Sequence, residues 1–238
     1  MTFLKAEWKK LAIANYEVDE SLLKKYLPKG TELDSWNNTH FISLVGFMFK
    51  NTRVLEFKIP FHINFEEVNL RFYVKRKFGN EWKRGVVFIK EIVPKYAITL
   101  VANSLYNENY VTHKMEHQWS IHQNKLMVSY SWNIKGSWQK FEVFADKNLS
   151  KIIPNSDVEF ITEHYWGYTK VNNFKTSEYE VTHPKWDHYK VKQSNINVDF
   201  GLTYGREFMF LNDVKPKSVM LAEGSNITVK SKSVIKVT

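Results

Sequence analysis

Cysteine is absent from the sequence, so disulfide bonds and thiolate-ligated metal sites are excluded. Arginine is scarce, because only five of the 34 basic residues are arginines: Arg53, Arg71, Arg76, Arg84 and Arg206. Long apolar runs are also missing, and the charged residues of MTFLKAEWKKLAIANYEV interrupt the first apolar segment. Neither a signal peptide nor a transmembrane helix is expected, which predicts a cytoplasmic protein without a membrane partner.

The formal net charge of +9 at pH 7 raises the question of nucleic-acid binding. Lysine supplies the remaining 29 basic residues, whereas bidentate contacts to bases and phosphates are made by arginine. The 20 asparagines are typical of proteins from AT-rich genomes, which also favour lysine codons. The charge therefore reflects composition, and no nucleic-acid partner is predicted.

One folded domain over residues 1–238 is the simplest prediction for this chain. Hydrophobic residues make up 43% of it and aromatic residues 16%, which is typical of a globular protein. No internal repeat and no Pro/Ser-rich linker divides the sequence. A chain of this size can bury a substantial core without disulfides.

The clearest periodicity begins at residue 66 and has a period of two, as in a β-strand. One face of this strand carries only apolar residues: Val68, Leu70, Phe72 and Val74. The other face carries residues with polar groups: Glu67, Asn69, Arg71 and Tyr73. Turn residues at 78–80 and an apolar return over 84–93 predict a β-hairpin.

The rest of the sequence predicts many short strands and few helices. Strands are expected over 40–49, 113–119, 125–134, 137–144, 178–182, 188–193, 218–223 and 228–235. Helices are expected over 19–27, 157–165 and 198–205, and a long loop over 50–64. The segment AITLVANSLYN after Pro94 fits a helix or a buried strand equally well. This pattern favours an antiparallel barrel or sandwich.

Several separated segments resemble the YqjF-like family of uncharacterised bacterial proteins: EWKKLAIANYEVDESLLKKYLPKGTELD, FISLVGFMF, FEEVNLRFYV, RGVVFIKEIVP, LVANSLYNENY, EHYWGYT and EYEVTHPKW. Together with the late segment LNDVKPKSVMLAEGSNITV, the layout is also distantly similar to acetoacetate decarboxylase. The resemblance implies an α+β, mainly β fold: an antiparallel, cone-shaped β-barrel of acetoacetate-decarboxylase-like type, with a closed pocket and a few peripheral helices.

The resemblance does not extend to the two lysines on which the chemistry of the decarboxylase depends. That enzyme forms a Schiff base through a lysine whose pKa is lowered by burial and by a second lysine, a strategy for which it is a standard example. The two lysines lie in a Pro-Lys-Lys run, and the matching residues here are Asn109, Tyr110 and Val111. Lys114 is the nearest lysine, and a period of two turns it away from the face of Val111. Decarboxylation through a Schiff base is therefore not expected.

Two groups of residues are candidates for a ligand site. Arg71 can hold a carboxylate with two hydrogen bonds while Glu67 orients it, provided that their strand face is internal; the alternative is a solvated face. The second group follows the return strand and consists of Asn103, Tyr106, Asn107 and Tyr110. These residues can bind a carbonyl or hydroxyl group, or else form a polar loop that caps the fold. Tyr110 could serve as a general acid only if its pKa were lowered.

No metal site and no cofactor are predicted. His113 and His117 would share a strand face, but about 13 Å apart at a rise of about 3.3 Å per residue. The sequence contains no HExxH motif, no glycine-rich nucleotide loop and no Gly-x-Ser-x-Gly turn.

The main functional hypothesis is a protein that binds an oxo acid or a related carbonyl compound, with no nucleic-acid or membrane partner. One alternative is an active lyase or hydratase that uses Tyr110 or a carboxylate such as Glu67 for acid–base chemistry. Another is a non-catalytic scaffold or regulatory protein. Relatives of the decarboxylase form multimers, so the resemblance leaves a homo-oligomer as an alternative to a monomer.

Overall fold

The computed structural model describes residues 1–236, and most of this part of the chain is β-strand. Its strands are β1 (Thr2–Val18), β2 (Glu32–Leu33), β3 (His40–Val54), β4 (Phe65–Phe78), β5 (Glu81–Val93), β6 (Tyr110–Thr112), β7 (Lys114–His122), β8 (Lys125–Ile134), β9 (Ser137–Lys151), β10 (Trp166–Asn172), β11 (Lys175–Thr182), β12 (Asp187–Asn197), β13 (Ser218–Lys230) and β14 (Ser233–Lys236). The predicted hairpin of β4 and β5 and the predicted succession of β7, β8 and β9 are confirmed.

The helices are short and few: α1 (Glu20–Lys24), α2 (Tyr96–Tyr106), α3 (Asp157–Thr162), α4 (Phe200–Tyr204) and a 3₁₀-helix (Arg206–Asn212). Asp19 caps α1, because its carboxylate accepts a hydrogen bond of 2.8 Å from the backbone N–H of Ser21. The helix predicted over 157–165 ends earlier, since Trp166 and Gly167 pair with β5 and so begin β10. No helix within residues 1–236 is long and apolar enough to cross a membrane.

One sheet contains fourteen strands, and most neighbours in it are antiparallel. The expectation of a wholly antiparallel sheet is wrong at two places, because β5 is parallel to β6 and also to β10. Parallel neighbours need a crossover connection, and α2 supplies it between β5 and β6.

The sheet contains a pairing that links strands far apart in the strand order. From β11 the order runs through β10, β5, β4, β3 and β1 to β13. Strand β11 also pairs with β13, through Val181 opposite Val229 and Thr182 opposite Thr228. This succession of seven strands therefore returns to the strand from which it started.

Both faces of β4 are buried, and each packs against a different hydrophobic core. Its even-numbered residues from Val68 to Val74 belong to a large hydrophobic core that also contains Tyr130 and Trp132. Its odd-numbered residues face a second core, to which Phe65 and Tyr73 belong. Since Glu67 is 2% exposed and Arg71 8%, the alternative of a solvated face is wrong.

Candidate functional site

A cavity of about 240 Å³ lies beside the second core. Strands β1, β3, β4 and β5, helix α2 and the segment from 162 to 186 contribute its walls. Most of the lining is apolar or aromatic. We refer to its buried and half-buried polar part as the polar floor, which consists of Glu67, Asn69, Arg71, Glu91, Glu108, Tyr110 and His164.

Three residues of the polar floor come from successive positions on one face of β4. Asn69 donates a hydrogen bond of 2.9 Å from Nδ2 to Oε1 of Glu67. The hydroxyl of Tyr110 donates one of 3.1 Å to Oε2 of the same carboxylate. Burial nevertheless raises the pKa of Glu67 to about 7, against the opposing effect of these hydrogen bonds and of Arg71. Glu67 therefore changes its protonation near neutral pH.

Arg71 differs from the other arginines of its hairpin in its pairing. Arg76 pairs with Glu178 at 3.1 Å, and Arg84 pairs with Asp34 at 2.7 Å. In the described chain, Arg71 has no carboxylate within ion-pair distance, and its buried Nε has no hydrogen-bond partner. A buried guanidinium without a partner is costly, and an anion in the cavity would supply one.

Two further carboxyl groups of the polar floor were not predicted from the sequence. Glu91 lies opposite Asn69 in the β4–β5 ladder, and its Oε2 is buried without a hydrogen-bond partner among the described residues. Burial and the neighbouring charges of Glu108 and Glu67 hold the pKa of Glu91 well above its usual range. Burial also raises the pKa of Glu108 to about 7, although Thr169 donates a hydrogen bond of 2.8 Å to this side chain. The sequence feature that could have indicated Glu91 as a buried site residue is its position as the single carboxylate in the largely apolar segment VVFIKEIV.

Two tyrosines stand beside these carboxyl groups. Burial and the nearby carboxylates hold the pKa of both Tyr110 and Tyr179 well above the usual range. Tyr110 therefore keeps its proton at neutral pH and acts as a hydrogen-bond donor. The lowered pKa that general acid catalysis by Tyr110 would need is not found.

A histidine completes the polar floor on the side of Arg71. Nε2 of His164 lies 3.2 Å from Oδ2 of Asp34, which also accepts the hydrogen bond from Arg84. Burial lowers the pKa of His164 to about 4, so the imidazole is neutral. Because the ionised Asp34 accepts a hydrogen bond from Nε2, this nitrogen carries the proton of the neutral imidazole. Nδ1 is then the nitrogen with the free lone pair. That Nδ1 is buried without a partner in the described structure.

The residues predicted around the end of α2 have different roles. Asn103 holds the start of β6 against α2. Its Nδ2 donates a hydrogen bond of 2.9 Å to the carbonyl of Tyr110, and its Oδ1 accepts one of 2.8 Å from the N–H of Tyr110. Tyr106 lines the cavity, with its ring 4.9 Å from that of Phe3. Asn107 is exposed and ends α2 in the left-handed conformation, with φ of 59°. The structure thus brings Glu67, Arg71, Tyr106 and Tyr110 together and leaves the two asparagines outside the lining.

Histidine and lysine positions bear on the chemistry that the site can perform. His117 hydrogen-bonds Glu66 at 2.5 Å on the exposed side of β7. No group of three metal-ligating side chains occurs within residues 1–236. Lys114 is exposed, and no lysine is among the described residues that line the cavity.

The fold is mainly β and similar to that of acetoacetate decarboxylase and related solved structures. The enzyme from Legionella pneumophila is similar over 98% of this chain and 87% of its own, with a TM-score of 0.66 and 12% identity. The enduracididine biosynthesis enzyme MppR, in complex with pyruvate, is similar over 98% of this chain and 91% of its own, with a TM-score of 0.66 and 10% identity. At these identities the likeness concerns the fold alone.

The chain belongs to the DUF2071 family, described as an uncharacterized conserved protein, whose model matches residues 5–226. The uncharacterized protein YqjF of Bacillus subtilis (strain 168) is 35% identical over 86 residues. That stretch is 36% of this chain and 34% of YqjF, so the alignment spans about a third of the relative's length. The resemblance to the YqjF-like family seen in the sequence is confirmed.

Proposed function

We propose that this protein binds an oxo acid or a related carbonyl compound in the cavity, without a Schiff-base lysine. The observation that carries the proposal is the buried guanidinium of Arg71, which has no anionic partner among the described residues. A ligand carboxylate can accept two parallel hydrogen bonds from such a group. Its negative charge would offset the cost of burying the guanidinium.

The remaining polar floor supports a carbonyl group as the second feature of the ligand. A carboxyl whose pKa is held high stays neutral and can donate a hydrogen bond to a carbonyl oxygen. Glu91 meets this condition, since its pKa lies well above the usual range and its Oε2 has no partner in the described chain. The carboxylate and the carbonyl would then bind different parts of the floor.

The residues around the decarboxylase's lysine position support binding without a Schiff base. Tyr110 occupies the place where the resemblance expects a lysine, and its hydroxyl donates to Glu67. MppR, whose fold is similar, is known in a complex with pyruvate, which is a 2-oxo acid. That relative supports the ligand class by analogy of fold only.

A closed barrel is part of this proposal. The pairing of β11 with β13 supports closure of the seven-strand circuit into the cone-shaped barrel expected from the resemblance. The cavity would then be its interior, in a single domain. The scaffold alternative expects an interior without polar side chains, and the polar floor is an argument against it.

Truncation of Arg71 tests the proposal. We expect Arg71→Ala to weaken binding of the best 2-oxo or 3-oxo acid of a panel by about 10- to 100-fold, because a hydrogen bond to a charged group contributes about 1.5–3 kcal/mol. Isothermal titration calorimetry measures the affinity, and circular dichroism checks the fold. Arg76→Ala is the matched control, since Arg76 lies on the same strand but outside the cavity lining.

Equal affinity of the wild type and Arg71→Ala would refute the assignment of Arg71 as the carboxylate-binding residue. If Arg71→Ala unfolds while Arg76→Ala does not, Arg71 has a structural role instead. Treatment of the same complexes with borohydride, followed by intact-mass measurement, should give no stoichiometric, saturable adduct. Such an adduct would mean that one of the lysines reacts with the carbonyl.

A lyase or hydratase is the second candidate function, and the pKa of Glu67 favours it. A general acid–base group works best when its pKa lies near the working pH, and Glu67 has a pKa of about 7. Tyr110 would act in such a reaction as a fixed donor to Glu67. Glu67, and not Tyr110, is therefore the acid–base residue of this proposal.

A further inference from the structure

The cavity lining changes character between its deep and its exposed parts. The most deeply buried polar residues of the lining are Glu67, Asn69 and Glu91, which are 2%, 1% and 1% exposed. The exposed residues of the lining are all apolar: Ile59, at 45%, Val101, at 42%, and Ala97. The cavity therefore opens to solvent through an apolar mouth and ends in a polar floor.

Two segments form this mouth. Helix α2 contributes Ile98, Val101 and Ala102 to the lining. The end of β3 and the following loop contribute Val54 and Ile59, together with the buried Thr52 and the half-buried His62. The remaining walls of the same cavity include aromatic and aliphatic side chains: Leu11, Phe47, Phe49, Phe65, Val86 and Val229. The cavity therefore presents a large apolar surface to any ligand that contacts the polar floor.

We propose that the bound acid is amphipathic, with its carboxylate at Arg71 and an aliphatic or aromatic body along the apolar walls toward Ile59 and Val101. This inference rests on the proposed function and specifies the ligand class of the same site. A short acid such as pyruvate could satisfy Arg71 but would leave the walls uncovered. Each methylene of a longer body would remove additional apolar surface from water.

A chain-length series tests this inference. The probes are pyruvate, 2-oxobutanoate, 2-oxohexanoate, 2-oxooctanoate and phenylpyruvate, with 1-hexanol and 1-octanol as probes that have no acid group. We expect the affinity for the oxo acids to rise by about fourfold per methylene until the body reaches the mouth, which corresponds to about 0.8 kcal/mol per buried methylene. Calorimetric titration gives the dissociation constants.

Two neighbouring residues of α2 provide matched variants. Val101 and Leu100 are both exposed and apolar, at 42% and 54%, but only Val101 lines the cavity. We expect Val101→Asp to weaken binding of 2-oxooctanoate by tenfold or more and to leave pyruvate binding nearly unchanged. Leu100→Asp should leave both affinities unchanged.

The outcomes separate this inference from the proposed function. Oxo acids that bind equally well at every chain length, or equal effects of the two aspartate variants, would overturn the amphipathic ligand and leave the oxo-acid site intact. Alkanols that bind as tightly as oxo acids of the same length would support the apolar body and overturn the acid anchor at Arg71. Absence of binding by every probe would overturn both.

Discussion

Glu67 is one of two buried carboxyl groups, with Glu108, whose protonation is expected to change within the ordinary pH range. Its carboxyl group is buried, and burial disfavours the charged form more than the hydrogen bonds from Asn69 and Tyr110 favour it. The folded state therefore binds the proton more tightly than the unfolded state does. Stability must then fall as the pH rises from the unfolded pKa of about 4.5 toward the folded value of about 7.

The change Glu67→Gln should remove this contribution. Between pH 4.5 and 7.5, we expect the unfolding free energy of the wild type to fall relative to that of the variant by as much as ~3 kcal/mol. Urea denaturation across this pH range measures both proteins, and contributions from groups that do not interact with Glu67 cancel in the difference. Parallel pH profiles would mean that Glu67 stays ionised in the folded protein.

The same variant distinguishes a binding protein from an enzyme. If Glu67 is the acid–base group of a lyase or hydratase, Glu67→Gln should abolish turnover of an oxo acid while the fold is kept. Turnover that survives in Glu67→Gln at the wild-type rate would exclude this role.

At the scale of single residues, the sequence predicted some lining residues from a strand period and two others, Tyr106 and Tyr110, from the resemblance. Glu67 and Arg71 were found because they alternate with apolar residues along β4. Glu108 and His164 could not be found in this way, because they lie outside strands and reach the polar floor through the tertiary fold. Whether these residues bind a ligand stays a prediction.

At the scale of elements, the contact between β5 and β10 depends on the absence of a side chain. A Cβ atom on Gly85 would lie 2.4 Å from the backbone oxygen of Trp166, its partner in the parallel pairing. Only Gly85 and Val86 of β5 pair with β10, so the two strands have little other pairing to hold them.

We expect Gly85→Ala to destabilise the protein by about 1–3 kcal/mol, because the backbone must shift to admit the methyl group. Gly201→Ala in α4 is the milder comparison, since its new Cβ would lie 3.1 Å from Cβ of Met209, a contact that a shift of a few tenths of an ångström relieves. We expect it to destabilise the protein less than Gly85→Ala does. Urea denaturation measures both variants, and equal stabilities would contradict the tight β5–β10 contact.

The elements that sequence reasoning predicted have clear local signals, whereas those that it missed are irregular. Strand β1 was not predicted, because its alternation is interrupted at Lys10, which has a φ of 55° where the register with β3 shifts. The segments expected at 218–223 and 228–235 become β13, which continues through Gly224, and the short β14. Only pairing with other strands decides such cases, and pairing is not visible in a local pattern.

At the scale of the whole molecule, the sheet has a protected middle and an exposed end. Strand β3 is paired on both sides and largely buried, while β7 ends the strand order and is mostly exposed. In hydrogen-exchange mass spectrometry we expect peptides from β3 to exchange at least tenfold more slowly than those from β7. Equal protection of β7 would mean that a second copy covers it, as in the homo-oligomer that the resemblance left open.

The two buried faces of β4 also bear on how such proteins diversify. Even-numbered positions pack the large core and odd-numbered positions face the cavity, so a substitution at residue 67, 69 or 71 leaves the core contacts of residues 68, 70 and 72 in place. If the cavity binds a ligand as proposed, its specificity can therefore change while the architecture is kept.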